Sequence, residues 1–189
     1  MKVLLVIAFE GFRDEEYDEP KKVIEKAGAE VITASTKIGT AVGKLGLKTK
    51  VDIVLDQVKV PDYDAVLFIG GPGSYQFHHD KKAHQIVKEA EKLGKVIGGI
   101  CAGVNTLAQA GILKGKTVTS FAGVSEEVKA AGANYTGKGI EIDGKIVTAD
   151  GPQHATDFGE AVHRLLSSPL SSPSANSFPS PSKMERGSL

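Results

Sequence analysis

Apolar runs of strand length recur along this chain with helix-like segments between them, and that rhythm limits the fold more than any other feature. Lys2–Phe9, Glu30–Ser35, Ala65–Ile69 and Lys95–Ile100 read as strands. Pro20–Ala27, closed by Gly28, and Lys81–Leu93, closed by Gly94, read as helices. Residues 37–60 are ambiguous, with a short strand or hairpin expected around Lys44–Asp52 and a turn of helix after it. Further on, Gly103–Ala110 reads as a helix and Thr117–Ser120 as a short strand. Ser125 is expected to cap a helix through Ala131, with Glu127 in its first turn. Asp143-Gly144, between Glu141–Ile142 and Lys145–Thr148, is a two-residue hairpin signal. Ala155–Leu166 closes the pattern as a last helix. Such alternation predicts a doubly wound α/β fold: a mostly parallel sheet with helices on both faces.

The chain has 189 residues, which suits one domain, and the pattern fills residues 1–166. From Ser167 to Leu189 the composition turns to serine and proline, with half of the eight prolines, and reads as a disordered or appended tail. Twenty-three basic residues balance 23 acidic ones, so the formal charge is zero and no basic stripe suggests nucleic acid. No apolar run reaches membrane-spanning length. Met1–Phe9 resembles a short signal peptide, but Glu10 and the polar residues after it favour a first strand. The single cysteine cannot form an internal disulfide, which fits a reducing cytoplasm.

That cysteine, Cys101, stands where the Lys95–Ile100 strand meets a helix, in Gly99-Ile100-Cys101-Ala102-Gly103. A side chain at such a corner sits on a sharp turn, exposed, facing the unpaired N–H groups of the next helix. Those groups favour the thiolate, and the thiolate is the nucleophile. Residue type alone favours a small buried hydrophobe, and the strand–Cys–Ala–Gly–helix setting reverses that preference.

In open parallel sheets, sites form beyond the carboxyl ends of the strands. Those ends bring together Phe9-Glu10-Gly11-Phe12-Arg13-Asp14-Glu15-Glu16, which opens the acidic run Asp14–Glu19, the turn Gly70-Gly71-Pro72-Gly73, Cys101, and Asp150-Gly151-Pro152-Gln153-His154. Gly70, Gly71 and Ala102 are candidate oxyanion donors through their N–H groups. One member of the acidic run is expected to face the thiol, with its pKa raised. His154 is the most plausible imidazole, with Asp157 to orient it. His78, His79 and His84 match no metal template and read as a solvated helix start, although His78 or His79 has the reach to overhang the cleft. His163 reads as structural.

Met1-Lys2-Val3-Leu4-Leu5, Glu16-Tyr17-Asp18-Glu19-Pro20, Ala65–Gly73, Gly99–Gly103 and Asp150-Gly151-Pro152, in that order and spacing, resemble the DJ-one/PfpI superfamily over Met1–Leu166. The resemblance implies a flavodoxin-like fold with a nucleophile elbow and no cofactor or metal. By it, Cys101 is the reactive cysteine, Glu16 its carboxyl partner, and Gly70, Gly71 and Ala102 occupy the oxyanion positions. It also implies a homodimer or homohexamer. PfpI-type proteases carry a histidine directly after the cysteine, where this chain has Ala102. The Cys-Ala-Gly form is similar to the other branch, which places a histidine after the next strand, where this chain has Phe121. The elbow is similar to that of class I glutamine amidotransferases too, but their late His-x-Glu pair is not visible.

The leading expectation is a cysteine enzyme acting on reactive carbonyls or on glycated proteins, glyoxalase-like or deglycase, through Cys101 and Glu16. The alternatives are a PfpI-type peptidase or amidase using His154 or a neighbouring subunit's imidazole, a redox-sensing or chaperone-like protein, and an inactive family member.

Overall fold

A computed structural model of the chain describes residues 1–168. Its main sheet has seven strands: β1 (Lys2–Val6), β2 (Glu30–Ser35), β3 (Ile53–Val54), β4 (Ala65–Phe68), β5 (Val96–Ile100), β6 (Ile140–Asp143) and β7 (Ile146–Ala149). Their order across the sheet is β6-β7-β5-β4-β1-β2-β3. All neighbours are parallel except β6 and β7, which form the antiparallel hairpin expected at Asp143-Gly144. Counting the five long parallel strands alone gives the 2-1-3-4-5 winding of flavodoxin-like proteins.

β4, β5 and β7 are buried at every position, as strands covered on both faces must be. The two faces are read from adjacent glycines of β5. A Cβ on Gly98 would meet Phe158 of helix α5 (Ala155–Ser167), and one on Gly99 would meet Val104 and Leu107 of helix α3 (Gly103–Gln109). Helix α1 (Asp14–Lys26) joins α5 on its face, where Gly159 lies so close that a Cβ would sit 2.8 Å from Cα of Pro20. Helix α2 (Lys81–Lys92) packs with α3 on the other. Asp80 caps α2 by accepting the Ala83 N–H at 2.7 Å. The expected helix around Ser125 is α4 (Ser125–Ala130).

The doubly wound reading therefore holds, with local corrections. Helix α1 begins at Asp14, not Pro20, so the proline lies inside it. Asp14, Glu15 and Glu16 suit the positive end of the helix dipole, and Pro20 removes only the N–H that would reach the Glu16 carbonyl. The hairpin runs from Gly39–Gly43 to Lys48–Val51, and Lys44–Leu47 are its loop. Its glycines disguise the strand, which forms because Glu10–Phe12 pairs alongside it. Ser125 does not cap α4: its hydroxyl donates to the Ala122 carbonyl at 2.8 Å, and Val124 is the cap position. Thr117–Val118 lies outside the main sheet, paired with Asn134–Tyr135. Helix α5 extends to Ser167, one residue past the expected boundary, and the rest of the Ser/Pro-rich tail lies outside the described residues. Among the described residues no helix is long and apolar enough to cross a membrane.

Candidate active site

β5 delivers Cys101 to the carboxyl edge of the sheet, and the chain reverses there into α3. Cys101 has φ of 58°, the only left-handed non-glycine residue among those described. An L-residue in that region costs about 1–2 kcal/mol, so the surroundings must hold it. They do so through its backbone. The Cys101 N–H donates to the Ala149 carbonyl at 2.8 Å, and its carbonyl accepts from Phe121 at 3.3 Å and Val104 at 3.4 Å. Gly103 lets α3 start hard against β4, since a Cβ there would lie 2.4 Å from the Phe68 carbonyl oxygen.

Glu16 sits on the first turns of α1, fully buried. Its Oε2 accepts the Gly70 N–H at 3.1 Å, while Oε1 has no hydrogen-bond partner. The Gly70 α-carbon is the point where acid and thiol converge: a Cβ there would stand 2.6 Å from Glu16 Oε2 and 2.7 Å from Cys101 Cβ. Burial raises the Glu16 carboxyl to about 7, against the pull of Cys101, Arg13 and the Gly70 N–H. Burial also pushes the Cys101 thiol up to about 12, and the charge of Glu16 adds to the effect. The N–H groups of Ala102 and Gly71 pull it down, as the helix-start argument expected, but burial outweighs them. When Glu16 holds the proton its charge no longer opposes the thiolate. With one proton on the pair, the thiolate exists in the arrangement that puts the proton on Glu16, and the higher value of the thiol makes that arrangement the minor one.

Of the three expected oxyanion donors, Gly71 and Ala102 keep N–H groups directed at the sulfur. Gly70 does not, because its N–H is taken by Glu16. Gly71 has φ of +99°, and a Cβ on it would lie 2.4 Å from the Arg13 nitrogen and 2.6 Å from the Gly11 carbonyl oxygen. Only glycine fits.

A cavity of about 430 Å³ opens over the thiol. Its lining combines Glu16, Gly71, Cys101 and Ala102 with the apolar Pro72, Tyr75, Phe121 and Pro152, and with the charged Arg13, Lys44 and Asp150. His154 is not among the lining residues. Its Nδ1 pairs with Asp150 at 2.7 Å, so Asp150, not the expected Asp157, orients it. The structure brings together Cys101, Glu16, Gly70, Gly71 and Ala102, and leaves His154 behind Asp150. Arg13 is held by Glu15 through two contacts of 2.8 and 3.1 Å. Lys44 is carried by the hairpin loop, which Asp14 pins by accepting the Leu45 and Leu47 N–H groups at 2.8 and 2.7 Å.

His78, expected at a solvated helix start, is buried beneath the elbow. Its Nε2 bonds the Ala102 carbonyl at 2.9 Å, and Nδ1 pairs with the Asn105 side-chain amide at 3.0 Å. A carbonyl can only accept and the amide NH₂ can only donate, so the ring is neutral with its proton on Nε2. Burial lowers its pKa, in agreement. Removing the ring leaves the buried Asn105 amide NH₂ without this partner and takes one of two hydrogen bonds from the Ala102 carbonyl, which keeps the Asn105 N–H at 3.2 Å. His78→Leu should therefore lower unfolding free energy by about 2 kcal/mol in chemical denaturation; an unchanged midpoint would show that neither bond matters. Lys44, Tyr75 and the wall role of Phe121 escaped the sequence reading, which placed Arg13 at a strand end without a role and His78 at a solvated helix start within reach of the cleft. For Tyr75 and His78 the signal was proximity to the Gly-Gly-Pro-Gly turn, and for Arg13 its place after a strand end.

A strained cysteine at a strand-to-helix elbow, beside a buried acid and two backbone N–H groups that face the sulfur, places the chain in the class of α/β proteins built around such an elbow. The chain belongs to the DJ-1/PfpI family, whose model matches residues 1–165. An uncharacterized protein of Methanocaldococcus jannaschii is 42% identical over 168 residues, spanning 87% of this chain and 82% of that one. The deglycase PfpI of Pyrococcus furiosus is 33% identical over 152 residues, spanning 80% of this chain and 91% of that one. Among solved structures, a ThiJ/PfpI domain protein from Brachyspira murdochii superposes with a TM-score of 0.86 at 37% identity, covering 87% of this chain and 95% of that one.

Proposed function

We propose that the protein is a cysteine enzyme acting on reactive α-oxoaldehydes and on the adducts they form with amines. The observation that carries this reading is the convergence of Cys101 and Glu16 over Gly70, with the Glu16 carboxyl raised to about 7. Near neutral pH that carboxyl gives and takes a proton with equal ease, as a proton shuttle beside a thiolate must.

Taking methylglyoxal as substrate, the Cys101 thiolate forms a bond to the aldehyde carbon and the carbonyl π pair moves to oxygen. The N–H groups of Gly71 and Ala102 stabilise that oxyanion. Glu16 then protonates it, giving a hemithioacetal. The Glu16 carboxylate next removes the proton from the same carbon, and the electrons pass to the neighbouring ketone oxygen as an enediolate. The hydroxyl proton of the first carbon moves to that oxygen, and Glu16 returns its proton to the neighbouring carbon, leaving a lactoyl thioester. Water cleaves the thioester, releasing lactate and restoring the thiol. With an amine adduct, the thiolate displaces the amine, which leaves with the Glu16 proton, and the later steps are the same.

No histidine lines the cavity among the described residues, so this reading, which needs none, fits better than a cysteine–histidine peptidase. Relatives named deglycases support it at the level of the family. Cys101→Ala should abolish conversion of methylglyoxal to lactate, followed by loss of the dicarbonyl, with the fold unchanged by circular dichroism. Turnover equal to wild type in that variant would end the proposal.

A further inference from the structure

The cavity is larger than the smallest substrate requires. Methylglyoxal has five heavy atoms and, at about 30 Å³ each by comparison with liquid water, fills no more than roughly 150 Å³. The cavity offers about 430 Å³. Around the thiol its apolar lining includes Tyr75, Phe121, Pro72 and Pro152, and the two rings are its aromatic members. Both aromatic side chains keep nearly half of their surface uncovered, 48% for Tyr75 and 44% for Phe121.

Tyr75 is held through its ring, and Phe121 is anchored through its backbone. The Phe121 N–H donates to the Cys101 carbonyl at 3.3 Å, which roots this residue one hydrogen bond from the nucleophile. Its ring occupies the space that a side chain at 123 would need: a Cβ on Gly123 would lie 2.3 Å from Cε1 of Phe121. Tyr75 rests against the His78 ring, with centroids 4.7 Å apart, and His78 is fixed by its bonds to Ala102 and Asn105. Aromatic rings that are already ordered and still uncovered bind flat apolar groups at little entropic cost. An imidazole at position 121 would offer a proton; phenylalanine offers only surface.

We propose that Tyr75 and Phe121 form an aryl-selective subsite beside Cys101, so that the preferred substrates are α-oxoaldehydes, or their amine adducts, bearing a flat apolar substituent. The inference rests on the reading of Cys101 as the nucleophile toward carbonyls, and its test separates the two. The first arm needs no turnover. Second-order rates of Cys101 alkylation are measured with iodoacetamide and N-benzyl iodoacetamide, which carry the same electrophile, in wild type, Phe121→Ala and Tyr75→Ala. The benzyl reagent should react about tenfold faster in wild type, and the ratio should fall to within about twofold in either variant. Because the two residues lie on different segments, misfolding of one variant leaves the other to decide. The second arm compares kcat/KM for phenylglyoxal and methylglyoxal, and the ratio should fall by a similar factor on Phe121→Ala. A benzyl preference of about one in wild type, or one that survives both substitutions, would overturn the subsite. Selective alkylation without turnover of either dicarbonyl would support the subsite and sink the catalytic reading instead.

Discussion

Glu16→Gln is expected to lower turnover of methylglyoxal by roughly 10²–10⁴-fold and, in the same protein, to raise conformational stability above neutral pH. The loss of activity follows because an amide holds the geometry at Gly70 but cannot pass a proton. The gain in stability follows from the buried charge. Folding raises the Glu16 carboxyl from 4.5 to about 7, so between those pH values the folded chain binds more protons than the unfolded one. Unfolding free energy from this group therefore falls as pH rises from about 4.5 to about 7 and is level above. At about 1.36 kcal/mol per pH unit the accumulated penalty is about 3 kcal/mol. The difference in unfolding free energy between Gln variant and wild type should widen by about that amount from pH 4 to pH 8. Urea titrations at both pH values measure it, and a difference that does not change with pH would contradict the buried, raised carboxyl. Alkylation of Cys101 supplies a parallel readout. In wild type its rate should rise through a step near pH 7, where the shared pair loses its first proton, and that step should be missing in the variant.

Gly71→Ala should unfold more easily by about 2–5 kcal/mol and retain on the order of a hundredth of the turnover. Two effects add. An L-residue is strained at φ of +99°, and its Cβ would press on backbone atoms of Gly11, Phe12 and Arg13 at 2.4–2.7 Å. Backbone cannot swing aside as a flexible side chain does, so the loop must move, and with it the N–H that faces the sulfur. Gly28→Ala separates the two effects. Its φ is +85°, yet a Cβ there meets nothing within 4 Å, and it lies at the far end of α1 from the thiol. It should cost about 1 kcal/mol and leave turnover at the wild-type level. Thermal melts and initial rates on both variants decide the matter; equal losses in the two would mean that close approach at Gly71 counts for nothing.

Much of this was legible along the chain. β2 runs from Glu30 to Ser35 as its strand-length run indicated, and Asp143-Gly144 made its hairpin, because turn chemistry and strand preference act locally. Cys101 could be placed at an elbow because a buried strand, a small residue and a glycine in succession leave the chain little else to do. Where the reading missed, the cause was a partner distant in sequence. Pro20 looks like a helix start and lies within α1, since the acidic turn before it and the packing of Gly159 against it favour a helix on both sides. The Gly39–Gly43 strand has weak intrinsic preference and exists because Glu10–Phe12 supplies its hydrogen bonds. His78 is another such case, buried by its bonds to Ala102 and Asn105 of the elbow and α3. His154 is the exception, drawn off by Asp150 only four residues before it.

The sequence by itself determined the winding of the sheet, the corner that carries the sulfur and the glycines that let backbone approach it, because these depend on short-range sterics and on the period of apolar residues. Only the tertiary structure decided that Gly70 serves Glu16 while the Gly71 and Ala102 N–H groups face the sulfur, and that Tyr75 and Phe121 wall the cavity. Those outcomes turn on desolvation and on contacts between segments more than fifty residues apart, such as the 54 between Glu16 and Gly70. Burial, which raises the Glu16 carboxyl, exists only once α1, β4 and β5 have closed around it.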